Sequence, residues 1–240
     1  MTRTVVVTGG GTGIGQAIAA RFAGNGARVI ITGRRQSVLE HAAGEITGNV
    51  EVARFDATDA DAVTAFAAGV GPVDVLVNNA GGNTDFDRTA PNSLGEVADS
   101  WRANYESNVI TAVLMTTGLL SHMNDGGAVV TIGSIAADKG SGSYGAAKAA
   151  IASWNIDLAR QLGARSITAN VVAPGYIADT EFFRDVLTHE AKDGLASPAM
   201  TGRAGAPRDI AEMVEFLASD RARQITAQTI AVNGGEWPTR

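Results

Sequence analysis

The stretch VVVTGGGTGIGQAIAARF (5–22) decides the fold. A β-branched run opens it, an Ala-rich amphipathic segment closes it, and Gly9, Gly10, Gly11, Gly13 and Gly15 lie between. Glycines at a strand-to-helix junction permit a tight turn and let the backbone approach a pyrophosphate, whose charge the helix N-terminus then stabilises. A glycine cluster alone is weak evidence, since a turn with no ligand can use the same residues. Its place after an apolar strand and before an amphipathic helix is what points to a dinucleotide. Gly15 is followed by Gln16, so the Gly-Lys-Ser/Thr ending of a P-loop is missing.

Outward from that turn, short β-branched runs alternate with longer Ala-rich segments. TVVVT (4–8), RVIIT (28–32), VEVARF (50–55), DVLVN (74–78), AVVTI (128–132), SITANVV (166–172) and QTIAVN (228–233) predict strands. Most are continuous apolar runs, as expected of strands covered on both faces. GQAIAARFAG, QSVLEHAAG, DADAVTAFAA, the span from Ser93 to about His122, AAKAAIASWNIDLARQLG and PRDIAEMVEFLAS have helical length and spacing. The alternation predicts an α/β fold: a doubly wound sheet of about seven mainly parallel strands with helices on both faces. Nothing marks a boundary, which predicts a single domain over 1–240. Two irregular stretches, about 81–98 and 176–207, follow strands. They are the expected substrate loops, because ligands of open parallel sheets sit beyond the carboxyl ends of the strands.

Bulk properties remove other classes. Hydrophobic residues make up 45% and charged ones 18%, which suits a soluble domain with a large core. A net charge of −6 and the lack of a Lys/Arg run argue against a nucleic-acid partner. The absence of cysteine excludes disulfides, thiolate metal sites and Cys nucleophiles, and fits a reducing compartment. His41, His122 and His189 lack metal-ligand spacing, so no metal is expected. No run approaches the ~18 apolar residues that cross a bilayer. The first apolar run is too short for a signal peptide. The expectation is a cytoplasmic protein with no membrane partner.

The second strand ends in ITGRRQ. Dinucleotide folds that take NAD place a carboxylate about 20 residues past the turn, on the ribose 2′-hydroxyl. Here that place holds Gly33, then Arg34 and Arg35. Guanidinium groups grip a 2′-phosphate that a carboxylate would repel. NADP(H) is therefore favoured over NAD(H), with Arg34 the stronger candidate. Further on, SGSYGAAK (141–148) sets Tyr144 and Lys148 one helical turn apart. Taken alone, that spacing decides nothing.

With these residues assembled, the chain resembles the short-chain dehydrogenases/reductases, in their compact single-domain branch. The resemblance covers almost the whole chain and rests on TGGGTGIG (8–15), NNAG (78–81), Asn108, Ser134, YGAAK (144–148), NVVAPG (170–175) and AVNGG (231–235), in that order. Thr12 stands where the extended branch would have Gly. The resemblance implies a Rossmann-type fold and a cofactor turn of Thr8, Gly9, Gly11, Thr12, Gly13, Ile14 and Gly15. It implies adenine contacts at Asp56 and Ala57, and cofactor contacts at Asn78 and at the backbone of Ala80 and Gly81. Pro174, Gly175, Ile177 and Thr180 would meet the nicotinamide carboxamide.

The implied catalytic tetrad is Asn108, Ser134, Tyr144 and Lys148, with Tyr144 and Lys148 also touching the cofactor. Ketone reduction needs a hydride on carbon and a proton on oxygen. A free Tyr holds its proton tightly, with pKa ~10, and a nearby ammonium is expected to lower that value. Ser134 would face the developing oxyanion. Asn108 would support a water that relays protons to Lys148.

Three features depart from the acyl-carrier-protein ketoreductases of this family. The step from Ser134 to Tyr144 is short, the connection from NNAG to Asn108 is long, and Asp179 stands where Thr is usual, with Thr180 one place later. Of two rim arginines that grip a carrier protein, Arg165 matches one and Asp125 stands at the other. The expected function is an NADPH-dependent carbonyl reductase or alcohol dehydrogenase acting on a small carbonyl or alcohol. The alternatives are a 3-oxoacyl-acyl-carrier-protein reductase and a non-catalytic NADP(H)-binding regulator. Phe182, Phe183, Leu187, Leu195 and Met200 suggest an apolar lid or plain helix packing. Trp101 and Trp154 suggest either a subunit interface or core packing. The resemblance implies a homo-oligomer, tetramer or dimer.

Overall fold

The computed structural model describes residues 2–183 and 188–238. Seven parallel strands form one sheet in the order β3-β2-β1-β4-β5-β6-β7. They are β1 (Thr4–Thr8), β2 (Arg28–Gly33), β3 (Asn49–Arg54), β4 (Val73–Asn78), β5 (Met123–Ile132), β6 (Thr168–Pro174) and β7 (Thr229–Val232). The sequence hides their alternation because both faces are covered. Val5 and Val7 pack into one core layer with Ile18, Leu39 and Val214, whereas Val6 points into the other with Val63, Met115 and Leu158. The first layer lies under α1 (Gly13–Gly24), α2 (Gln36–Glu45) and α9 (Pro207–Leu217). The second lies under α3 (Ala60–Val70), α5 (Thr111–Leu119) and α7 (Gly142–Leu162).

Three elements differ from expectation. β5 starts five residues early, at Met123 rather than 128. Met123 pairs with Val73, but the next pair is Val75 with Ala128, so 124–127 form an excursion within the ladder. β6 starts late because Ser166 is left-handed at φ 54, closing the turn after α7, and a left-handed residue does not extend a strand. The span from Ser93 is not one regular helix. It divides into α4 (Leu94–Tyr105), a π-helical turn over Glu106–Ile110, and α5. Such turns insert an extra residue and re-aim side chains.

The 176–207 stretch holds a short helix, α8 (His189–Ala196), capped by Thr188, whose hydroxyl accepts from the Ala191 amide. A four-residue helix, α6 (Ala136–Lys139), fills the short step from Ser134 to Tyr144. The strand order reverses between β1 and β4, and their carboxyl ends open a crevice there. Among the described residues, no helix is long and apolar enough to cross a membrane.

Candidate active site

A cleft of about 840 Å³ lies over that crevice. One end is the glycine turn. Gly9 and Gly13 adopt φ +63 and +53, which L side chains rarely adopt. Gly15 has no room for a side chain: a Cβ there would lie 2.1 Å from the Gly9 carbonyl oxygen. Gly9, Gly11, Thr12, Gly13, Ile14 and Gly15 all line the cleft.

Two expected cofactor residues do not. Thr8 is buried, and its hydroxyl accepts from the amides of Asn79 and Ala80, both at 2.9 Å, so it staples β1 to the end of β4. Asn78 is also buried, and its side chain turns away from the cleft to donate to the Thr116 hydroxyl at 2.8 Å. As the last residue of β4 it takes the face covered by α5. Its neighbour Asn79, not assigned from sequence, faces the cleft and donates to the carbonyls of Thr8 and Gly9, both at 3.0 Å. Ala80 and Gly81 line the cleft as expected.

Arg34, Arg35, Asp56 and Ala57 form the wall at the end of β2 and β3. Partial burial works to raise the Asp56 carboxyl, but hydrogen bonds from the Thr58 amide and hydroxyl, with the nearby Arg34 charge, bring it below its ordinary value. Arg35 instead reaches across to Glu181, at 2.7 Å. The two arginines therefore differ. Arg34 faces Asp56, and Arg35 straps β2 to the stretch after β6. These residues fit a phosphorylated dinucleotide: a cradle that a Cβ would fill, a helix N-terminus, and guanidinium groups at the ribose end.

The far end holds Ser134, Tyr144 and Lys148 together. Ser134 follows β5, where the Gly133 amide donates to Val172 at 2.7 Å and the Ile135 amide to Pro174 at 3.0 Å, fixing the two strand ends. The Ser134 hydroxyl accepts from the Ala136 amide at 3.1 Å and hydrogen-bonds with Tyr144. Lys148 donates to the Ile132 carbonyl at 2.8 Å, and its ammonium lies 5.8 Å from the Tyr144 ring centroid.

The expectation that Lys148 lowers the Tyr144 pKa is corrected here. Burial pushes Tyr144 up to about 12, with the Ser134 bond acting the other way, and burial pulls Lys148 down to about 8. Taking each side chain out of water disfavours its charged form, and that is the largest cause of both shifts. Asn108 does not line the cleft. It is buried in the π-helical turn, with its amide donating to the carbonyls of Gly82 and Asn104, both at 2.9 Å, and its carbonyl accepting from the Gly82 amide at 3.1 Å. Its side chain clamps the backbone after β4 rather than facing the cleft, which Ser107 and Thr111 line instead.

Lys148 also makes the stability of the cofactor-free protein depend on pH. A lysine held below its unfolded value of 10.5 adds stability that is full above that pH and lost as pH falls through about 8. Unfolding free energy should therefore rise from about pH 8 towards 10.5. Urea titrations at several pH values should show this rise in the wild type and a flatter profile in Lys148→Met; equal slopes would contradict it.

Pro174, Gly175, Ile177 and Thr180 line the cleft. Thr180 comes within 3.3 Å of the place a Cβ would take on Gly13. Asp179, at φ 56, borders a separate hollow with Gln16 and Pro207. Thr180, not Asp179, therefore lines the cleft.

The chain is similar to known proteins over nearly its whole length. A family profile described as enoyl-(acyl carrier protein) reductase matches residues 9–236. The 3-oxoacyl-[acyl-carrier-protein] reductase of Escherichia coli is 35% identical over 245 residues, covering 98% of this chain and 97% of its own. The chain belongs to the short-chain dehydrogenase/reductase family. It is an oxidoreductase of that family, acting on CH–OH and C=O groups. The acetoacetyl-CoA reductase of Rhizobium meliloti is 36% identical over 255 residues, covering 99% of each chain. A solved structure, a blue fluorescent protein from a metagenomic library in complex with NADPH, superposes with a TM-score of 0.83 at 33% identity, covering 98% of each chain.

Phe182, Phe183 and Leu195 line the cleft, Met200 is exposed, and Leu187 lies outside the described residues. Lys139 and Glu236, neither assigned from sequence, also line it and pair at 2.7 Å. Trp154 packs against two core clusters, whereas Trp101 is half exposed. Arg165 is engaged with Asp125 at 2.8 Å, with the Leu120 carbonyl at 2.8 Å and with the Met123 carbonyl.

Proposed function

We propose that this short-chain dehydrogenase/reductase uses NADPH to reduce the keto group of a 3-oxoacyl thioester to a hydroxyl. The observation that carries the chemistry is the meeting of Ser134, Tyr144 and Lys148 in a cleft that begins at the glycine turn and Arg34. The thioester is supported by the relatives, named for 3-oxoacyl-[acyl-carrier-protein] and acetoacetyl-CoA. NADPH is supported by Arg34 on the cleft wall and by a related structure that contains it. When bound, the nicotinamide supplies the hydride.

Tyr144 is the proton donor. With its pKa at about 12 the phenol is protonated at neutral pH, ready to give the proton on Oη to the carbonyl oxygen. Ser134 holds that oxygen through its hydroxyl, where negative charge develops. Lys148, at about 8, is still mostly charged at neutral pH and stabilises the phenolate left after transfer. Asn108 is a positioning residue that holds Gly82 at the mouth of the cleft.

A free or CoA-borne substrate has its own support: Arg165 is tied to Asp125 and two carbonyls instead of standing clear for an acidic carrier. We place a second copy of the chain against α4, whose Leu94, Val97, Trp101 and Tyr105 form an exposed apolar stripe at helical spacing.

The test is an NADPH-oxidation panel of 3-oxoacyl thioesters on CoA and on carrier protein, with plain ketones beside them and NADH as second cofactor. Turnover of thioesters supports the reading. Tight NADPH binding with no turnover of any carbonyl replaces it with the regulator. On the cofactor side, Arg34→Asp should weaken NADPH binding by roughly tenfold to a hundredfold, the worth of a charged hydrogen bond. NADH binding should change much less; equal loss of both would remove the 2′-phosphate contact.

A further inference from the structure

The wall of the cleft beside Tyr144 is aromatic, and its rings come from two distant stretches. Phe182 lies 5.7 Å from the Tyr144 ring, centroid to centroid. It meets Phe183 edge-on at 4.9 Å and Phe86 edge-on at 5.6 Å. Phe183 in turn lies 5.4 Å from Phe86 and 5.8 Å from Tyr176. Rings closing a loop onto itself would be buried by one another. Phe86 is instead 43% exposed while touching two rings, so it offers apolar face to the cleft it lines.

Phe86 is held there by a polar network. Its turn, Thr84–Asp87, receives its start from Asn83, whose side chain accepts from the Asp85 amide at 3.0 Å. The Asp85 carboxylate accepts from Ser100 at 2.5 Å and from Ser143 at 3.0 Å. Asn104, fully buried, donates to the same Ser143 hydroxyl at 2.9 Å and accepts from the Thr84 amide at 3.1 Å. Ser143 immediately precedes Tyr144. Phe86 and the proton donor therefore hang on one point, the first turn of α7, and their spacing is set by hydrogen bonds between residues on three segments. The cation on the short step from Ser134 to Tyr144 does not compete with this apolar character, because Lys139 is taken up by Glu236.

We propose that Phe86, Phe182 and Phe183 form a subsite for an extended apolar or aryl substituent on the carbonyl carbon. The preferred substrate is then a medium-chain or aryl-bearing 3-oxo compound rather than the acetoacetyl group. This rests on the ketoreductase reading above. A chain lying along the three rings leaves water together with the rings it covers, so each added methylene should raise kcat/KM by about twofold to fourfold until the wall is covered.

The experiment measures kcat/KM with NADPH along a series from acetoacetyl to 3-oxodecanoyl thioester, with a benzoylacetyl thioester beside it. It uses wild type, Phe182→Ala and the milder Phe86→Leu. A rise with chain length in the wild type that flattens in either folded variant supports the subsite. A flat or falling wild-type series, or the same rise in both variants, overturns it while leaving ketoreduction intact. No turnover of any member overturns both.

Discussion

Tyr144→Phe should lower kcat by roughly a hundredfold to ten-thousandfold, the contribution of a positioned general acid. The phenol is buried, so its removal has few structural consequences beyond one hydrogen bond. Ser134 keeps its bond from the Ala136 amide, and the lost bond costs about 1 kcal/mol of stability. Cofactor affinity should stay within about twofold, because the hydroxyl acts on the transition state rather than on ground-state binding. Stopped-assay rates combined with NADPH fluorescence titration separate these quantities. A rate within a few-fold of wild type would remove Tyr144 as the proton donor.

Gly15→Ala should disable the cofactor site and destabilise the fold, although alanine is the better helix former by about 1 kcal/mol. The clash decides the sign. A Cβ at this position would lie 2.1 Å from the Gly9 carbonyl oxygen and 2.5 Å from the Asn79 amide nitrogen. Both must move, and the Asn79 bonds that hold the turn against β4 go with them. A net loss of about 2 kcal/mol or more is expected, of the size seen for overpacked sites. NADPH binding should fall by more than about tenfold. Gly24→Ala is the control. It lies in the last turn of the same helix with nothing within 4 Å, and should be neutral or stabilising. Destabilisation of equal size in both variants, read from urea midpoints, would refute the steric argument.

The sequence made most of the scaffold legible because its signals are local. Continuous valine and isoleucine runs mark strands buried on both faces, and the glycine spacing marks the turn wherever the rest of the chain goes. What stayed hidden depends on burial and on long-range meeting. Asn78 and Asn79 are adjacent in NNAG, yet only the pleat decides that the first turns under α5 and the second faces the cleft. Spacing sets Tyr144 and Lys148 one helical turn apart. It does not show that both are nearly inaccessible to water, and that is what sends their pKa values to about 12 and about 8. Asn108 looks like a site residue by position; the π-helical turn that swings its side chain onto Gly82 has no simple sequence signal. Phe86 and Phe182 meet across 96 residues of chain, beyond the reach of any local pattern.

The most direct test of the central claim follows the hydride. NADPH deuterated at the transferable position is incubated with the wild-type enzyme and a 3-oxoacyl thioester, and the product is read by mass spectrometry and NMR. The account predicts one deuterium on the carbon that carried the keto group in the wild type, and only trace product with Tyr144→Phe. Product without deuterium, or labelled product formed at the wild-type rate by Tyr144→Phe, would contradict it.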